Sequence, residues 1–416
     1  MTPSDSASSA PPPESFAFRH HGFRLYWVAR FLVSFATQIV SVAVGWQVYD
    51  ITRNPMDLGI VGLVQFLPSL LLVLVTGAVA DRYNRRAIMG LCFALEAVVC
   101  AGLLLFTWGG HADVMLIFAL LALMGIARAF MGPATQSLLP NLVPPADLSN
   151  AIALNSSSWQ FATITGPVAG GLLYGLSAYA AYGSALVLLL IGTILTAMIP
   201  KPVQRASNQA KSLETLFAGF RYVWSEKVVL GAISLDLFAV LLGGASALLP
   251  VYARDVLDVG PWGLGLLRAA PGIGALVVAI WLARNTIRDH AGLIMFCFVA
   301  GFGIFTTVFG ASATVWLSVV ALALAGACDM ISVYVRETLI QLWTPDEVRG
   351  RVNAVNMVFI GASNELGEFR AGLSASLFGA VPAVIFGGVG TVAVAFLWAI
   401  WFPQLRRIRH LTGRDP

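Results

Sequence analysis

Twelve long apolar segments dominate this chain, six on either side of a polar stretch. The first six lie at roughly 25–49, 58–80, 87–108, 114–138, 148–176 and 179–199, and the second six at roughly 228–252, 260–283, 291–310, 314–343, 351–378 and 381–402. A helix that crosses a bilayer needs about 20 mostly apolar residues. The segments lack the alternation of membrane β-barrel strands, so the sequence predicts an all-α membrane protein with twelve transmembrane helices.

Composition excludes the other broad classes of protein. Hydrophobic residues make up 58% of the 416 residues and charged residues only 11%, whereas an ordinary soluble domain carries about 25% charged residues. A soluble protein this apolar could not cover its surface, so we exclude a soluble enzyme, a disordered protein and a nucleic-acid-binding protein. The four cysteines lie inside apolar segments without CxxC spacing, and we interpret them as buried free thiols.

The apolar segments divide the chain into five predicted regions. Residues 1–18 are rich in Ser, Pro and Ala and lack the basic and apolar parts of a signal peptide, which predicts a disordered cytoplasmic N-terminal tail. Residues 19–200 are predicted to form one six-helix bundle and residues 228–403 a second. Residues 201–227 are the predicted cytoplasmic linker, and residues 404–416 the cytoplasmic C-terminal tail.

The linker has the pattern of an amphipathic helix. Its large apolar residues recur at helical spacing: Leu213, Leu216, Phe217, Phe220 and Trp224, with Lys211, Glu214 and Arg221 between them. One interpretation is a helix that lies along the membrane face. The other is a soluble linker helix that packs on the protein's own loops, and the sequence does not distinguish the two.

The positions of the basic residues predict the orientation in the membrane. With the N-terminus inside, the cytoplasmic stretches hold Arg82, Arg85, Arg86, Lys201, Arg205, Lys211, Arg221, Lys227, Arg284, Arg288, Arg349, Arg351, Arg406, Arg407, Arg409 and Arg414. The outer loops hold only Arg53 and Arg254. Because Lys and Arg accumulate on the cytoplasmic side, we expect a multi-pass plasma-membrane protein, in a bacterial inner membrane, with both termini in the cytoplasm.

The two halves of the chain repeat one another at an offset of 201 residues. The matched pairs are Gly125 with Gly326, Pro144 with Pro345, Ala153 with Ala354, Asn155 with Asn356, Gly166 with Gly367 and Gly171 with Gly372. The register holds over nearly 50 residues, and the hydropathy pattern repeats with it. Duplicated six-helix halves around a site at the membrane midplane are typical of secondary transporters.

The loop after the second segment carries a recognisable motif, Gly77-x-x-x-Asp81-Arg82-x-x-Arg85-Arg86. Here the sequence resembles the major facilitator superfamily, although Asn84 stands where that family has Gly. The resemblance implies two pseudo-symmetric six-helix bundles and transport by alternating access. It also implies that Gly77, Asp81, Arg82, Arg85 and Arg86 act as a conformational latch; the alternative is plain positive charge on the cytoplasmic side.

Two further motifs resemble antiporter signatures of that superfamily. The fifth segment contains Gly166-Pro167-Val-Ala-Gly170-Gly171, with Ala162 and Ala153 in place of upstream glycines. Proline bends a transmembrane helix, and small residues let a neighbouring helix approach. The resemblance implies an exporter of the antiport type; simple helix packing is the alternative.

The second of these motifs is Arg128-x-x-x-Gly132 in the fourth segment, where Met131 replaces the usual Gln. An intramembrane arginine costs about 2.5–3.5 kcal/mol on insertion scales, so Arg128 needs a partner. We interpret it as a residue for proton coupling or for binding a substrate anion; a structural charge pair is the alternative.

The second half concentrates charged residues inside its segments. These are Asp329, Arg336 and Glu337 in the tenth segment and Glu365, Glu368 and Arg370 in the eleventh. Glu365 and Glu368 are neighbours on a helix at i, i+3. Two carboxylates so close in a low dielectric cannot both ionise readily, so one of them is expected to carry a proton.

The acidic residues of this half, with Asp236 in the seventh segment, are therefore the candidates for proton coupling. Arg128, Arg336, Arg370, Gln38 and Trp46 are the candidates for binding substrate or for coupling. The alternative for the acids is a structural salt-bridge network with Arg336 and Arg370. Gln38 and Trp46 could equally serve in helix packing. Glu96 and Arg268 are weaker candidates.

Two stretches, Gly361-Ala-Ser-Asn-Glu-Leu-Gly-Glu-Phe and Thr344-Pro-Asp-Glu-Val-Arg-Gly-Arg-Val-Asn, resemble the branch with enterobactin exporters and macrolide efflux proteins. This resemblance implies export of a small amphipathic molecule, a siderophore or a drug, driven by inward movement of protons and without a cofactor. We expect a monomer. The alternatives are a facilitator or proton symporter for nutrient uptake and, more distantly, a receptor or scaffold that transports nothing.

Several chemistries have no signature in the sequence. There is no GxxxxGK[ST] loop, which argues against an ATP-driven pump. The five histidines lie outside the apolar segments and no His/Cys cluster indicates a metal site. No Ser/His/Asp constellation is discernible, so we do not expect an enzyme. The expected partners are a small-molecule substrate and the lipid bilayer.

Overall fold

The structure is a computed structural model that describes residues 16–110, 113–201, 213–285, 287, 289–409 and 411, without the side chains of residues 73, 74, 78, 81 and 213–218. Within those residues every regular element is helical. The first half comprises α1 (His21–Thr52), α2 (Pro55–Arg82), α3 (Arg85–Trp108), α4 (Val114–Leu138), α5 (Leu148–Leu176) and α6 (Ala178–Met198). The second half comprises α7 (Leu213–Ser225), α8 (Lys227–Gly243), α9 (Leu249–Val251), α10 (Gly260–Arg284), α11 (Ala291–Ala311), α12 (Val315–Trp343), α13 (Asp346–Phe378), α14 (Ala380–Trp401) and α15 (Pro403–Arg406).

Ten helical stretches of the described residues are long and apolar enough to cross a membrane. The two predicted segments that are not among them are α5 and α13, although these helices have 29 and 33 residues. Both helices contact the opposite half of the molecule: α5 packs on α10, and α13 packs on α2. A helix that faces protein on several sides needs less apolar surface than one that faces lipid.

The helices pack as two bundles that follow the repeat. In the first bundle α1 packs on α5 and α6, α2 on α4, and α3 on α4 and α6; in the second, α8 packs on α13 and α14, α10 on α12, and α11 on α12 and α14. Gly125 lies against the backbone of α2, and its repeat partner Gly326 lies against the backbone of α10. The repeated glycines therefore sustain equivalent close helix crossings, since a Cβ at either position would meet backbone atoms.

Two opposite faces of the molecule can be told apart by the chain ends. We call one of them the terminal face, because the first and last described segments bond to the bundles there. The Ala17 N–H donates to Asn150 Oδ1 at 3.0 Å, and the Gly292 N–H donates to the Ile408 carbonyl at 3.2 Å. The opposite face, here the far face, holds the end of α1 and the starts of α2 and α10. The bundles meet in this far half.

The junction at the far face consists of two matching helix crossings, which we call the far-face seal. A Cβ built on Gly171 of α5 would lie 2.5 Å from the Pro261 carbonyl oxygen of α10. A Cβ built on its repeat partner Gly372 of α13 would lie 2.8 Å from the Pro55 carbonyl oxygen of α2. Both crossings thus bring backbone against backbone, and each depends on a glycine.

The seventh predicted segment, 228–252, is an interrupted helix. Helix α8 ends at Gly243, and a 3₁₀ turn over Ser246–Leu248, the single turn α9 and a π-helical turn over Tyr252–Val256 follow. Arg370 of α13 donates from Nε to the Leu241 carbonyl at 3.1 Å and from a terminal nitrogen to the Leu242 carbonyl at 2.5 Å. Carbonyls freed at a break inside the membrane need such partners.

Helix α7 packs on the protein itself. Tyr222 donates its hydroxyl proton to the Trp343 carbonyl at 2.7 Å, the rings of Phe220 and Phe359 lie 5.8 Å apart, and Val223 is buried. These contacts favour the second interpretation of the linker, a helix packed on the ends of α12 and α13. Trp224 is 76% exposed, so contact of this ring with lipid stays a prediction.

Some sequence-based predictions fall where the structure is not described. Residues 1–15 of the predicted N-terminal tail and Lys211 lie outside the described residues, as do the side chains of Leu213, Glu214, Leu216 and Phe217. One expectation is wrong: Cys297 on α11 is exposed, whereas Cys92, Cys100 and Cys328 are buried. An apolar segment predicts a membrane helix, but not which of its residues face outward.

Candidate functional site

A central cavity of ≈ 290 Å³ lies between the two bundles. Four charged residues from three helices line it: Arg128 of α4, Arg268 of α10, and Glu365 and Glu368 of α13. The uncharged polar lining residues are Gln38, Ser41, Gln65, Thr163 and Ser246, and the apolar ones are Val40, Val44, Leu58, Val61, Leu121, Met124, Pro167, Ala247, Leu249 and Pro271. Charged and apolar walls in one cavity suit an amphipathic ligand.

The two glutamates converge on one glycine of the opposite bundle. A Cβ built on Gly62 of α2 would lie 2.9 Å from Oε2 of Glu365 and equally 2.9 Å from Oε2 of Glu368. The carboxylates therefore stand side by side against bare helix backbone. The positive charge of Arg128 acts on both of them, so part of the negative charge is balanced from the first bundle.

Arg268 reaches from the second bundle to the first. Its Nη1 donates to Ser41 Oγ of α1 at 2.5 Å, and its Nη2 would lie 3.0 Å from a Cβ built on Gly45. Its Nε is buried and has no hydrogen-bond partner. The carboxylate of Glu368 acts on its charge from within the second bundle. This weaker candidate of the sequence is thus a direct link between the bundles inside the cavity.

The positive charge of Arg128 acts on more than one carboxylate. Besides the two cavity glutamates, it acts on Glu96 of α3, whose Oε2 accepts a hydrogen bond from Thr37 at 3.3 Å and whose Oε1 is buried without a partner. In the part of the chain that the structure describes, no ion pair involves Arg128 or Arg268. Both guanidinium groups therefore lack a direct counter-ion among the described residues.

The remaining acidic candidates form a second group, the Arg336 cluster, outside the cavity lining. Arg336 forms an ion pair with Asp236 of α8, and its Nε lies 3.8 Å from Glu337 Oε1. Asn356 donates to the same Glu337 oxygen at 2.9 Å. Asp329 lies close enough for the charges of Asp236 and Arg336 to act on it. The structure thus separates candidates that the sequence treated together.

The antiporter-like motif lies where α5 meets two other helices. Pro167 lines the cavity, Gly166 lies against Gln38 of α1, and Gly170 lies against Ile39, with Cβ positions 2.6 Å and 3.0 Å from the nearest atoms of α1. Gly171 belongs to the far-face seal. The motif therefore joins the cavity wall to the crossing that connects the bundles.

The latch candidates lie at the terminal face, at the ends of the first-bundle helices. Arg85 donates to the Ser137 carbonyl at 3.1 Å and to the Ala80 carbonyl at 3.3 Å, and Arg86 donates to the Ile199 carbonyl. These bonds satisfy carbonyls at the ends of α2, α4 and α6. Arg82 is exposed and Gly77 is buried, while the side chain of Asp81 lies outside the described residues.

One group of functional interest was missed by the sequence reasoning. At the far face Arg254 pairs with Asp50, Arg53 lies 3.5 Å from Asp255, and the Tyr49 hydroxyl donates to Asp255. Arg254 also lies over the Trp46 ring at 5.3 Å. We call Asp50, Arg53, Arg254 and Asp255 the far-face ion cluster.

Each bundle supplies one acid and one base to this cluster. The sequence feature that could have revealed this cluster is the pair Asp50 and Arg53 at the end of the first segment, together with Arg254 and Asp255 near the end of the seventh. Trp46 contacts Arg254, so its ring lies at the far face, and it is not among the residues that line the cavity.

Comparisons with known proteins agree with this architecture. Residues 14–410 match a family described as transmembrane secretion effector. An enterobactin exporter, EntS, of Citrobacter koseri is 27% identical over 402 residues, covering 94% of both chains, and one of Escherichia coli O1:K1 is 25% identical over 400 residues, again 94% of both. The crystal structure of a bacterial homologue of the human lysosomal transporter Spinster, inward-facing and occupied, has a TM-score of 0.73 at 14% identity, with 95% of this chain and 99% of that chain covered.

The structural likeness shows the same fold, and the family match spans nearly the whole chain. The predictions of an all-α major facilitator fold and of membership in that superfamily are therefore confirmed. This protein belongs to the transmembrane secretion effector family: it is a multi-pass major facilitator transporter of the enterobactin-exporter branch, and not an enzyme.

Proposed function

We propose that this transporter exports a small amphipathic molecule, a siderophore or a drug-like compound, by alternating access coupled to inward movement of protons. The observation that carries the proposal is the central cavity, in which Glu365 and Glu368 converge on Gly62 beside Arg128 and Arg268. The name enterobactin exporter, which the relatives carry, makes a siderophore the first substrate class to test. The proton gradient supplies the energy, and no cofactor is needed.

We further propose that the terminal face is cytoplasmic and that the membrane is a bacterial inner membrane. The distribution of Lys and Arg supports this orientation. In this orientation the far-face seal lies on the outer side of the cavity, which supports a state that opens toward the cytoplasm. This is the state in which an exporter takes up its substrate.

The coupling step is an exchange at the paired carboxylates. When the cavity faces outward, a proton from the outer solvent bonds to an oxygen of Glu365 or Glu368, which relieves the repulsion between the two carboxylates. When the cavity faces inward, that O–H bond breaks and the proton passes to cytoplasmic water. The substrate then binds to the ionised pair through its hydrogen-bond donors and is carried outward.

The test is proton flux in proteoliposomes that contain a pH-sensitive dye. Enterobactin and a macrolide are supplied in turn on the side of the terminal face, and we expect protons to move opposite to the substrate. Glu368→Gln is expected to reduce this flux strongly, because the amide cannot take up a proton and only Glu365 of the pair is left to carry one. Glu347→Gln is the matched control, since Glu347 is an exposed residue on the same helix, outside the cavity lining.

A second pair of variants tests the geometry rather than the titration. In Gly62→Ala the new methyl group displaces both carboxylates, so we expect export to fall strongly. Gly175→Ala on α5 is the control, because nothing lies within 4 Å of a Cβ there.

In the proton-flux assay, transport of the substrate without any pH change would refute antiport. Protons that move in the same direction as the substrate would show symport instead.

A further inference from the structure

Among the hydrogen bonds of the described residues, Arg268 is the one charged cavity residue that bonds from one bundle to the other. It belongs to α10 in the second bundle, and it donates to Ser41 of α1 in the first. Because its Nη2 would lie 3.0 Å from a Cβ built on Gly45, the guanidinium rests on bare backbone of α1. Ser41 and Gly45 are four residues apart, so they share one face of that helix.

Among the described residues, few charges act on Arg268 and Glu368. Glu368 lies in the field of Arg268 and of Arg128 from α4, and its other charged neighbour is Glu365 on its own helix. The other helices that line this part of the cavity present uncharged groups: Gln38 and Ser41 from α1, Gly62 and Gln65 from α2, and Thr163 and Pro167 from α5. A change of charge on Glu368 therefore acts chiefly on these two arginines.

We propose that Arg268 is the positioning residue through which the protonation of Glu368 controls the far-face seal. The inference rests on the proposed function and deepens it. An ionised Glu368 draws the guanidinium toward α13 by direct charge attraction, which weakens its hold on α1. A protonated Glu368 exerts no such attraction, and the guanidinium stays bonded to Ser41.

The direction of this effect agrees with proton-driven export. Protonation of Glu368 strengthens the link of α10 to α1 and so favours the state that is closed at the far face. Loss of the proton to the cytoplasm loosens that link, and the loaded transporter can then open outward. A proton taken up outside returns the transporter to the inward state, which is the order that antiport requires.

The experiment measures the far-face distance without any substrate. Spin labels are placed at Leu176→Cys on α5 and Leu377→Cys on α13, two exposed positions at the far ends of the two bundles. Cys297, the exposed native cysteine, is replaced by serine. Distances are recorded by double electron–electron resonance in nanodiscs from mildly acidic to mildly alkaline pH, and wild-type protein should move from the short to the long distance, with a change of about tenfold in the population ratio.

The variants separate a positioning role from a structural one. Glu368→Gln should keep the short distance at every pH. Arg268→Ala should lose the pH dependence, and Arg268→Lys should restore part of it, since the ammonium keeps the charge but not the fork of donors. Ser41→Ala should shift the ratio toward the long distance and weaken the pH dependence, because the guanidinium then has no hydroxyl acceptor on α1.

Two outcomes would overturn the inference. If Arg268→Ala, folded and monodisperse, kept the wild-type pH dependence, Arg268 would not transmit the charge of Glu368. A wild-type distance that ignored pH would also refute it. The proton-flux assay then decides separately whether proton-coupled export stands, because it does not depend on how the two bundles communicate.

Discussion

At the scale of single residues, the charged groups of this transporter have two different kinds of surroundings. Arg336 is 3% exposed and has an ion pair with Asp236, as well as Glu337 nearby. Arg268, by contrast, has one hydrogen bond to a hydroxyl and, among the described residues, no ion pair. A buried charge with a dedicated counter-ion is typical of a structural role, whereas an incompletely paired one in a cavity is typical of a functional site.

The first prediction concerns the Arg336 cluster. Asp236→Leu leaves the Arg336 guanidinium buried without its nearest partner, so we expect a loss of about 3–5 kcal/mol in the free energy of unfolding. The double variant Asp236→Leu/Arg336→Met removes both charges and should recover most of that loss. Thermal unfolding in detergent, followed by tryptophan fluorescence, measures both effects.

The same pair of variants distinguishes the two interpretations of this cluster. A stable double variant that still exports with proton flux would assign the cluster to structure, and a stable one without flux would assign it to coupling. If the single variant is as stable as wild type, the ion pair contributes nothing to the fold and the prediction is wrong.

At the scale of helices, α5 and α13 carry the contacts between the bundles. They are the two predicted spans that are not among the ten stretches apolar enough to cross a membrane. Each also contributes a repeat glycine to the far-face seal, Gly171 from α5 and Gly372 from α13. Pro167 and Glu368 lie at equivalent repeat positions, and both line the cavity. The repeat therefore places a proline on one side of the cavity and a carboxylate on the other.

The second prediction concerns the crossing of α5 with α10. A valine at Gly171 would force the Pro261 backbone away, since a Cβ there already approaches it to 2.5 Å. We expect Gly171→Val to open the far face. The readout is labelling of Thr163→Cys, in the Cys297→Ser background, by a membrane-impermeant thiol reagent applied to intact cells.

Gly175→Val is the matched control for this experiment, because it lies one turn further along α5 with nothing within 4 Å of a Cβ. It carries the same loss of a glycine and the same β-branched side chain. Equal labelling of the two variants would mean that the close approach at Gly171 does not hold the far face closed.

At the scale of the whole molecule, the far face is closed by charge as well as by helix packing. The far-face ion cluster is reciprocal, because each bundle supplies one acid and one base. Arg53 and Asp255 are 53% and 42% exposed, so water and salt weaken their attraction, and such pairs contribute about 0.2–1 kcal/mol. A contribution of this size suits a gate that must open in every cycle.

The third prediction reverses the charges of this gate. Arg53→Asp places an acid opposite Asp255 and should shift the population ratio toward the far-open state by up to about fivefold, the equivalent of 1 kcal/mol. Asp tolerates the left-handed backbone at this position, where φ is 52°. The shift should shrink as ionic strength rises.

Adding Asp255→Arg to Arg53→Asp restores an opposite-charge pair, but not an acceptor for the Tyr49 hydroxyl. We therefore expect partial recovery of the far-closed population. The spin-label distance between positions 176 and 377 measures both variants. A double variant as open as the single one would show that the pair does not hold the bundles together.

The class of fold was predictable because the backbone has few choices in a membrane. Each long apolar run must satisfy its own hydrogen bonds and so becomes a helix, and the observed helix ends agree with the predicted segments to within several residues for most spans. The break after Gly243 escaped prediction, since the composition of the segment stays apolar across it.

Local spacing also predicted that Glu365 and Glu368 are neighbours, because both lie on one helix at i, i+3. Spacing could not show which helix faces them. That Gly62, Arg128 and Arg268 meet these carboxylates in one cavity, while Asp236 and Asp329 lie apart with Arg336, depends on how the helices are ordered and rotated in the bundles. The sequence by itself therefore determined the helices and the membrane, through local hydrophobicity and hydrogen bonding. Only the tertiary structure decided which charges share a cavity, because that depends on contacts between residues far apart in the chain.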